Sequence, residues 1–223
     1  MELHFDQELT QVKDMLLRMS GLAEQSVALV LKALVQRDDA LARQVDEADT
    51  ALDRLQMEID ERCIQLIALR QPKARDLRFL VMTMKIASDL ERIGDQSVNI
   101  AHRAEELNKE PLLKPLIDIP RMADIARGMI RDSLDALVYG KPDDARAVIT
   151  HDDEVDLINR QLHRELTSFM IEDPGTTTRC LNLMSVAHNL ERIGDHATNI
   201  AEDVIFMVSA LDVRHHQPPD GRG

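Results

Sequence analysis

Apolar residues recur every three to four positions along most of the chain, which is the spacing of an amphipathic α-helix. The first stretch repeats apolar residues at intervals of seven, with a second apolar residue between the members of each repeat. Such a double stripe predicts long helices that pack side by side through one apolar face. The stripe is clearest at Phe5, Val12 and Met19, at Val45, Leu52, Ile59 and Leu66, and at Val148, Val155, Leu162 and Phe169.

Breaks in this pattern divide the chain into six predicted helices. Gln71-Pro72 ends the second helix, because the residue before a proline avoids the helical region. Gly140-Lys141-Pro142 is typical of one helix ending and another beginning, and the prolines after residue 108 predict a linker. The predicted helices cover about residues 5–36, 39–71, 73–106, 121–139, 143–171 and 176–213.

Composition narrows the fold class to all-α. Aromatic residues make up 2% of the 223 residues, Trp is absent, and Gly and Pro number eight each, whereas β-sandwiches and barrels need aromatic strands and many turns. The chain carries 40 Asp and Glu against 27 Lys and Arg, a formal charge of -13, which argues against binding to nucleic acid. The longest apolar stretch, residues 204–211, is too short to cross a membrane, so we expect a cytoplasmic protein.

A repeated motif predicts that the two halves of the chain are homologous. The segment L-E-R-I-G-D occupies residues 90–95 and again residues 190–195, and N-I-A follows at 99–101 and 199–201. Three long helices with short connections pack as an antiparallel bundle. We therefore expect two tandem homologous three-helix bundles, each with its own core: the first over residues 1–108 and the second over 109–213, followed by a flexible tail at 214–223.

Acidic residues lie in a row beside the apolar face of the repeated motif. Glu91, Asp95 and Asn99 are spaced at i, i+4 and i+8, so they share one side of a helix. Like charges at this spacing repel each other, and the repulsion grows at the edge of an apolar face. Acidic pairs on the second and fifth helices can face these rows when neighbouring helices pack. The candidate residues are Asp49, Asp53, Glu91, Asp95 and Asn99 in the first half, and Asp152, Asp156, Glu191, Asp195 and Asn199 in the second.

Clustered carboxylate and amide oxygens of this kind predict a metal site in each half. Oxygen ligands suit hard divalent ions, so magnesium, manganese, calcium or iron is a better candidate than zinc. Bridging carboxylates would allow a multinuclear site. The alternative is structural, since Arg92 and Arg192 can pair with the acids and tie neighbouring helices together.

The motifs of common enzyme sites are missing from the sequence. It contains no E-x-x-H of the ferritin-like di-iron proteins, no glycine-rich phosphate loop, no H-E-x-x-H and no nucleophile elbow. The sequence therefore favours a regulatory or scaffold protein that is not an enzyme. Two alternatives stay open, a metal-dependent hydrolase that uses the carboxylate clusters and a purely structural helical scaffold.

The doubled motif L-E-R-I-G-D-x-x-x-N-I-A, at residues 90–101 and 190–201, resembles that of the PhoU family of bacterial phosphate-uptake regulators. The resemblance covers the chain to about residue 215 and implies two three-helix bundles in a cytoplasmic homodimer. It also implies metal-associated E(D)-x-x-x-D motifs, which fall here at Asp49/Asp53, Glu91/Asp95, Asp152/Asp156 and Glu191/Asp195.

The resemblance further implies a role and partners. It implies negative control of phosphate uptake and of the phosphate regulon. The implied partners are the ATPase subunit of the high-affinity phosphate ABC transporter and the membrane histidine kinase that senses phosphate. A protein of this kind is cytoplasmic, or peripheral at the inner membrane through its partners. We hypothesise that cations neutralise each acidic face, which then binds anionic groups of a partner or a membrane lipid.

Overall fold

The computed structural model describes residues 2–210 and residue 213. These residues form six α-helices and a single 3-10 turn, with no strand among them. The predicted all-α fold of two three-helix bundles is confirmed. None of the described helices carries an apolar stretch long enough to cross a membrane. The helices are α1 (Glu2–Gln36), α2 (Asp39–Arg70), α3 (Ala74–Asn108), α4 (Asp118–Tyr139), α5 (Pro142–Glu172) and α6 (Thr177–Ser209), and the 3-10 turn is Pro174–Thr176.

Short polar and glycine signals set the ends of the helices. Asp38 caps α2, since its Oδ1 accepts hydrogen bonds from the backbone N–H groups of Ala40 (2.8 Å) and Leu41 (3.4 Å). Gly140 ends α4 in the left-handed conformation at φ 62°, which glycine adopts without strain. Pro142 then begins α5, where its missing N–H costs nothing because the first N–H groups of a helix have no partner within it.

Several helix boundaries differ from the prediction by a few residues, and two of these differences have a local reason. α4 begins earlier, at Asp118, so that Pro120 lies inside its first turn, where a proline is tolerated. α6 ends earlier, at Ser209, because Ala210 takes the left-handed conformation and bonds its N–H to the last turn of the helix. The predicted tail, residues 214–223, lies outside the described residues.

The six helices pack around one continuous apolar core. α1, α2 and α3 contact one another, as do α4, α5 and α6, while α3 packs on α6 and α1 packs on α4 across the interface between the bundles. Buried apolar residues from both halves form a single cluster that runs through this interface. The structure thus has one shared core where the sequence led us to expect two. The boundary between residues 108 and 109 stays a prediction.

Ion pairs cross the interface between the bundles beside this core. Lys85 of α3 contacts Asp203 of α6 at 2.7 Å, and the Asp203 side chain is only 1% exposed. Arg127 of α4 contacts Glu24 of α1 at 3.1 Å. Because a buried carboxylate is costly without its cation, the Lys85–Asp203 pair favours one arrangement of the second bundle on the first.

Glycines at the centre of the repeated motif let neighbouring helices approach closely. A Cβ atom added to Gly94 of α3 would lie 2.6 Å from Oδ1 of Asp49 and 2.7 Å from Cδ1 of Leu52, both on α2. A Cβ atom added to Gly194 of α6 would lie 3.0 Å from Oδ1 of Asp152 on α5. The repeat therefore places the same contact, a glycine against an aspartate, in both bundles.

Replacing Gly94 by alanine tests this contact. We expect Gly94→Ala to lower the free energy of unfolding by about 1–3 kcal/mol, because the added methyl group would overlap Leu52, which is fully buried, and Asp49. Helix propensity alone would give the opposite sign, a gain of about 1 kcal/mol. Gly21→Ala on α1 is the control and should stabilise the protein, since a Cβ atom there meets nothing within 4 Å. Urea unfolding measures the change in the free energy of unfolding of each variant, and stabilisation by Gly94→Ala would contradict the close contact.

Candidate functional site

In each bundle, the two acidic pairs predicted from the sequence lie next to each other on neighbouring helices. In the first bundle, the Asp49 carboxylate of α2 reaches Gly94 of α3, in the middle of the motif that carries Glu91 and Asp95. Burial and, after it, the charges of Asp53, Asp95 and Glu91 raise the pKa of Asp49. We call Asp49, Asp53, Glu91 and Asp95 the first acidic cluster.

The second bundle repeats this arrangement between α5 and α6. The Asp152 carboxylate reaches Gly194. Burial and, after it, the charges of Asp195, Asp156 and Glu191 raise the pKa of Asp152. We call Asp152, Asp156, Glu191 and Asp195 the second acidic cluster. In both halves, then, the acidic pair of one helix faces the acidic row of the next, as the sequence led us to expect.

Each cluster holds one carboxylate oxygen that is buried and accepts no hydrogen bond. These atoms are Oδ1 of Asp49 and Oδ1 of Asp152, which occupy equivalent places in the two bundles. A buried polar atom without a partner costs about 1–3 kcal/mol, and more when it is charged. A proton or a cation bound at the cluster would offset this cost.

Burial is the main cause of the shifted pKa values in both clusters. Desolvation, followed by repulsion from the neighbouring carboxylates, raises the pKa of Asp49 and of Asp152 from 3.8 to about 6. The pKa of Glu91 and the pKa of Asp195 are also raised, again chiefly by burial. The folded chain therefore binds protons at these positions more tightly than the unfolded chain does.

The basic side chains that contact the clusters come from the same helix as the acids they contact. An ion pair within one helix adds only about 0.2–0.5 kcal/mol, and it does not join two helices. At the clusters, no Lys or Arg of the described residues joins α2 to α3 or α5 to α6, so helix-tying salt bridges find no support there. The contacts are Arg92 with Asp95 (3.2 Å) and Glu91 (3.6 Å), Arg160 with Asp156 (3.3 Å), and His188 with Glu191 (2.8 Å).

The donor set of each cluster fits a hard divalent cation. Carboxylate oxygens are the ligands that such ions prefer, and the buried Oδ1 atoms of Asp49 and Asp152 have no competing hydrogen bond. In the part of the chain that the structure describes, no three carboxylate, histidine or cysteine side chains already converge as a set of metal ligands. Binding a cation would require side chains of one cluster to turn toward each other, and the role of these residues as ligands stays a prediction.

The two asparagines of the predicted rows differ from the carboxylates in their surroundings. Asn99 is exposed on α3. Asn199 of α6 directs its amide nitrogen to Oδ1 of Asp89 on α3, at 3.4 Å. Asn199 thus takes part in the interface between the bundles, and the place of both asparagines as metal ligands stays a prediction.

A histidine at this interface was not among the predicted site residues. Nδ1 of His196 lies 2.8 Å from Oδ1 of Asp89, and the two side chains are 17% and 18% exposed. The signal that would have indicated this contact is a paired change between the repeats. At the offset of the repeat, Asp89 corresponds to Asn189 and His196 corresponds to Gln96, so both members of the pair differ together.

The raised pKa values predict how stability depends on pH in chelator-treated protein. Because folded Asp49 and Asp152 bind protons more tightly, they make the free energy of unfolding fall as pH rises from about 4 through about 6. The variant Asp49→Asn/Asp152→Asn should therefore be more stable than the wild type at pH 7, with a difference that shrinks below about pH 4. Thermal melting across this pH range measures the difference.

The control for this measurement is Asp14→Asn/Asp135→Asn, which removes the same two charges from exposed positions. It separates the effect of the cluster from a general relief of the negative charge of the chain. Equal melting temperatures of the two variants at pH 7 would contradict the assignment of Asp49 and Asp152 as destabilising carboxylates.

Two stretches of the chain match the family model of the PhoU domain, at residues 16–104 and 119–204. The chain is 41% identical over 212 residues to the phosphate-specific transport system accessory protein PhoU homolog of Pseudomonas putida, a match that covers 95% of this chain and 83% of the relative. The homolog of the same name from Caulobacter vibrioides strain NA1000 is 41% identical over 215 residues, which cover 96% of this chain and 94% of the relative.

Solved structures share the same fold. The crystal structure of PhoU from Pseudomonas aeruginosa matches with a TM-score of 0.90 at 38% identity, covering 93% of this chain and 100% of that one. The phosphate transport system regulatory protein PhoU from Streptococcus pneumoniae matches with a TM-score of 0.87 at 27% identity, covering 94% and 99%. The resemblance carried by the doubled motif is confirmed, and the chain belongs to the PhoU domain family.

Proposed function

We propose that this protein is a negative regulator of phosphate uptake and of the phosphate regulon. Relatives at 40–41% identity are named accessory proteins of the phosphate-specific transport system, and a solved relative is named a regulatory protein of phosphate transport. These matches extend over most of the chain, for example over 95% of it in the Pseudomonas putida relative. That extent supports carrying the regulatory role over to the whole molecule.

We further propose that the two acidic clusters bind divalent cations, of which magnesium, manganese, iron and calcium suit the oxygen ligands better than zinc. The observation that carries this proposal is the buried, unpaired Oδ1 atom found at the same place in both clusters, on Asp49 and on Asp152. A bound ion would supply the positive charge that these oxygens lack. The repetition of the same costly feature in two bundles favours a functional reason over an accident of packing.

The exposure of each carboxylate suggests which residues of a cluster would bind the ion and which would face a partner. Oδ1 of Asp49 is buried against Gly94 and would hold the ion from the inside, whereas Asp53 is exposed and Asp95 is 39% exposed at its side chain. Ionised outer carboxylates repel an anionic partner. Once their charge is balanced, the same face can accept an acidic or phosphate group. Partner binding would then depend on the metal.

We propose that the partners are the ATPase subunit of the phosphate ABC transporter and the phosphate-sensing membrane histidine kinase, which the protein would connect as an adaptor. It would act as a cytoplasmic homodimer, peripheral at the inner membrane only through these partners. The relatives' names as accessory proteins support a role without catalysis. The negative charge of -13 is consistent with protein partners and not with nucleic acid.

Phosphate uptake in the host tests the regulatory role. Deletion of the gene should raise uptake and transporter expression when phosphate is plentiful, and the wild-type gene should reverse both. The variant Glu91→Gln/Asp95→Asn/Glu191→Gln/Asp195→Asn should fail to reverse them, because it lacks two of the four carboxylates of each cluster. An unchanged uptake after deletion would overturn the regulatory role, whereas full reversal by the variant would overturn only the role of the clusters.

Elemental analysis of untagged protein, purified without chelator, tests the metal sites. We expect stoichiometric divalent metal in the wild type and its loss from the same four-residue variant. Binding of the purified ATPase subunit should likewise be lost in the variant and in the presence of chelator.

The matched control removes the same charge from four exposed positions, Asp14→Asn/Glu58→Gln/Glu61→Gln/Asp135→Asn, and should keep both metal and partner. No metal in the wild type, even after soaking with manganese, iron, zinc and magnesium, would mean that the clusters are not metal sites. Partner binding that resists chelator would mean that the adaptor works without metal.

A further inference from the structure

A cavity of about 570 Å³ lies at one end of the molecule, between α1, α3 and the last turns of α4 and α6. This volume falls within the roughly 300–1,000 Å³ typical of small-ligand sites. Its apolar wall includes Phe79, Leu137 and Met207, and its basic side chains are Lys13, Arg75 and Arg78. Along α3, the cavity lies about 20 Å from the first acidic cluster, so the two sites are separate.

The charge of the cavity is opposite to that of the chain as a whole. The chain has a formal charge of -13, yet three of the lining residues are basic and none is acidic. Arg75 and Arg78 lie in the first two turns of α3, where the helix dipole disfavours cations. Neither arginine forms an ion pair with a carboxylate of the described residues. The acid of that first turn, Asp76, lines a different cavity beside Phe5.

The other groups around the cavity leave the N–H donors of these arginines available. Nζ of Lys13 donates a hydrogen bond to the carbonyl of Val138 at 3.2 Å, so Lys13 offsets the negative carbonyl end of α4. Cζ of Arg78 lies 5.6 Å from the centroid of the Phe206 ring, a contact that orients the guanidinium through its face. Arg75 is exposed. Both guanidinium groups can therefore donate to one ligand at the mouth of the cavity.

We propose that this cavity binds a small organic anion in which a phosphate or carboxylate group is joined to an apolar body. Guanidinium groups recognise both kinds of anion through paired N–H donors. An anion at Arg75 and Arg78 removes the unfavourable positive charge at the start of α3. The apolar body covers the wall formed by Phe79, Leu137 and Met207 and takes that surface out of water. This site depends neither on the acidic clusters nor on the regulatory role.

Tyr139, which also lines a second pocket beside Lys141 and His151, is a fluorescent reporter for this cavity, and the arginine variants below assign its response. It lines the cavity, and the chain contains no other Tyr and no Trp. Titration with octyl phosphate, below the concentration at which it forms micelles, should change the tyrosine fluorescence in a saturable way. Inorganic phosphate lacks the apolar body and octanol lacks the anionic group, so each should bind at least about tenfold more weakly than octyl phosphate.

The variant Arg75→Gln/Arg78→Gln should bind octyl phosphate about tenfold more weakly or worse, because it loses two charged donors. The control Arg54→Gln/Arg103→Gln removes the same charge from exposed positions of α2 and α3 and should keep the wild-type affinity. Equal affinity of the two variants overturns the proposal. A lower melting temperature of Arg75→Gln/Arg78→Gln with unchanged binding also overturns it, since Arg78 would then serve only to pack on Phe206.

Ligands of other charge complete the test. No saturable response to either octyl phosphate or octanoate overturns the proposal. Equal binding of octyltrimethylammonium also overturns it, because a purely apolar cavity would not distinguish the sign of the charge.

Free organic phosphates and anionic phospholipids can both carry a phosphate group joined to an apolar body. Sedimentation with vesicles of phosphatidylcholine, with and without phosphatidic acid, separates these sources. Sedimentation that requires phosphatidic acid and is lost in Arg75→Gln/Arg78→Gln identifies a lipid ligand. Saturable binding of octyl phosphate without any sedimentation identifies a free one.

Discussion

The close approach of a glycine to an aspartate, made once in each bundle, is the contact on which the rest of the structure depends. Gly94 and Gly194 leave room where a side chain would stand, and the carboxylates of Asp49 and Asp152 occupy that room. The same step that brings α2 against α3, and α5 against α6, also takes these carboxylates out of water. Helix packing and the chemistry of the clusters are therefore two results of one contact.

Because of this contact, the carboxylates of the candidate site lower the stability of the folded protein. The raised pKa values of Asp49 and Asp152 mean that their ionised forms oppose folding near neutral pH, and each has a buried oxygen without a hydrogen bond. The long helices compensate through a core that runs through both bundles and buries apolar surface along their length. Unfavourable burial of a carboxylate at equivalent positions of both bundles is typical of a functional site.

The sequence predicted the helices and the clusters because both depend on periodic positions within one half of the chain. Apolar stripes such as Val45, Leu52 and Ile59 are buried as predicted, and the repeat of the motif brought equivalent carboxylates together twice. The contacts across the interface between the bundles do not follow a periodic pattern in the sequence. Asp203 is buried there beside Lys85, although a charged residue in a helix is ordinarily read as exposed. Its partner lies on a distant helix that no local pattern indicates.

That interface also joins the two helices that carry the repeated motif. His196 of α6, which follows Asp195 of the second cluster, contacts Asp89 of α3, which lies two residues before Glu91 of the first. At the offset of the repeat, the residues equivalent to this pair are Gln96 and Asn189, which cannot form an ion pair. The two acidic clusters are therefore alike in their carboxylates, whereas the contact between the helices that carry them comes from positions at which the two repeats differ.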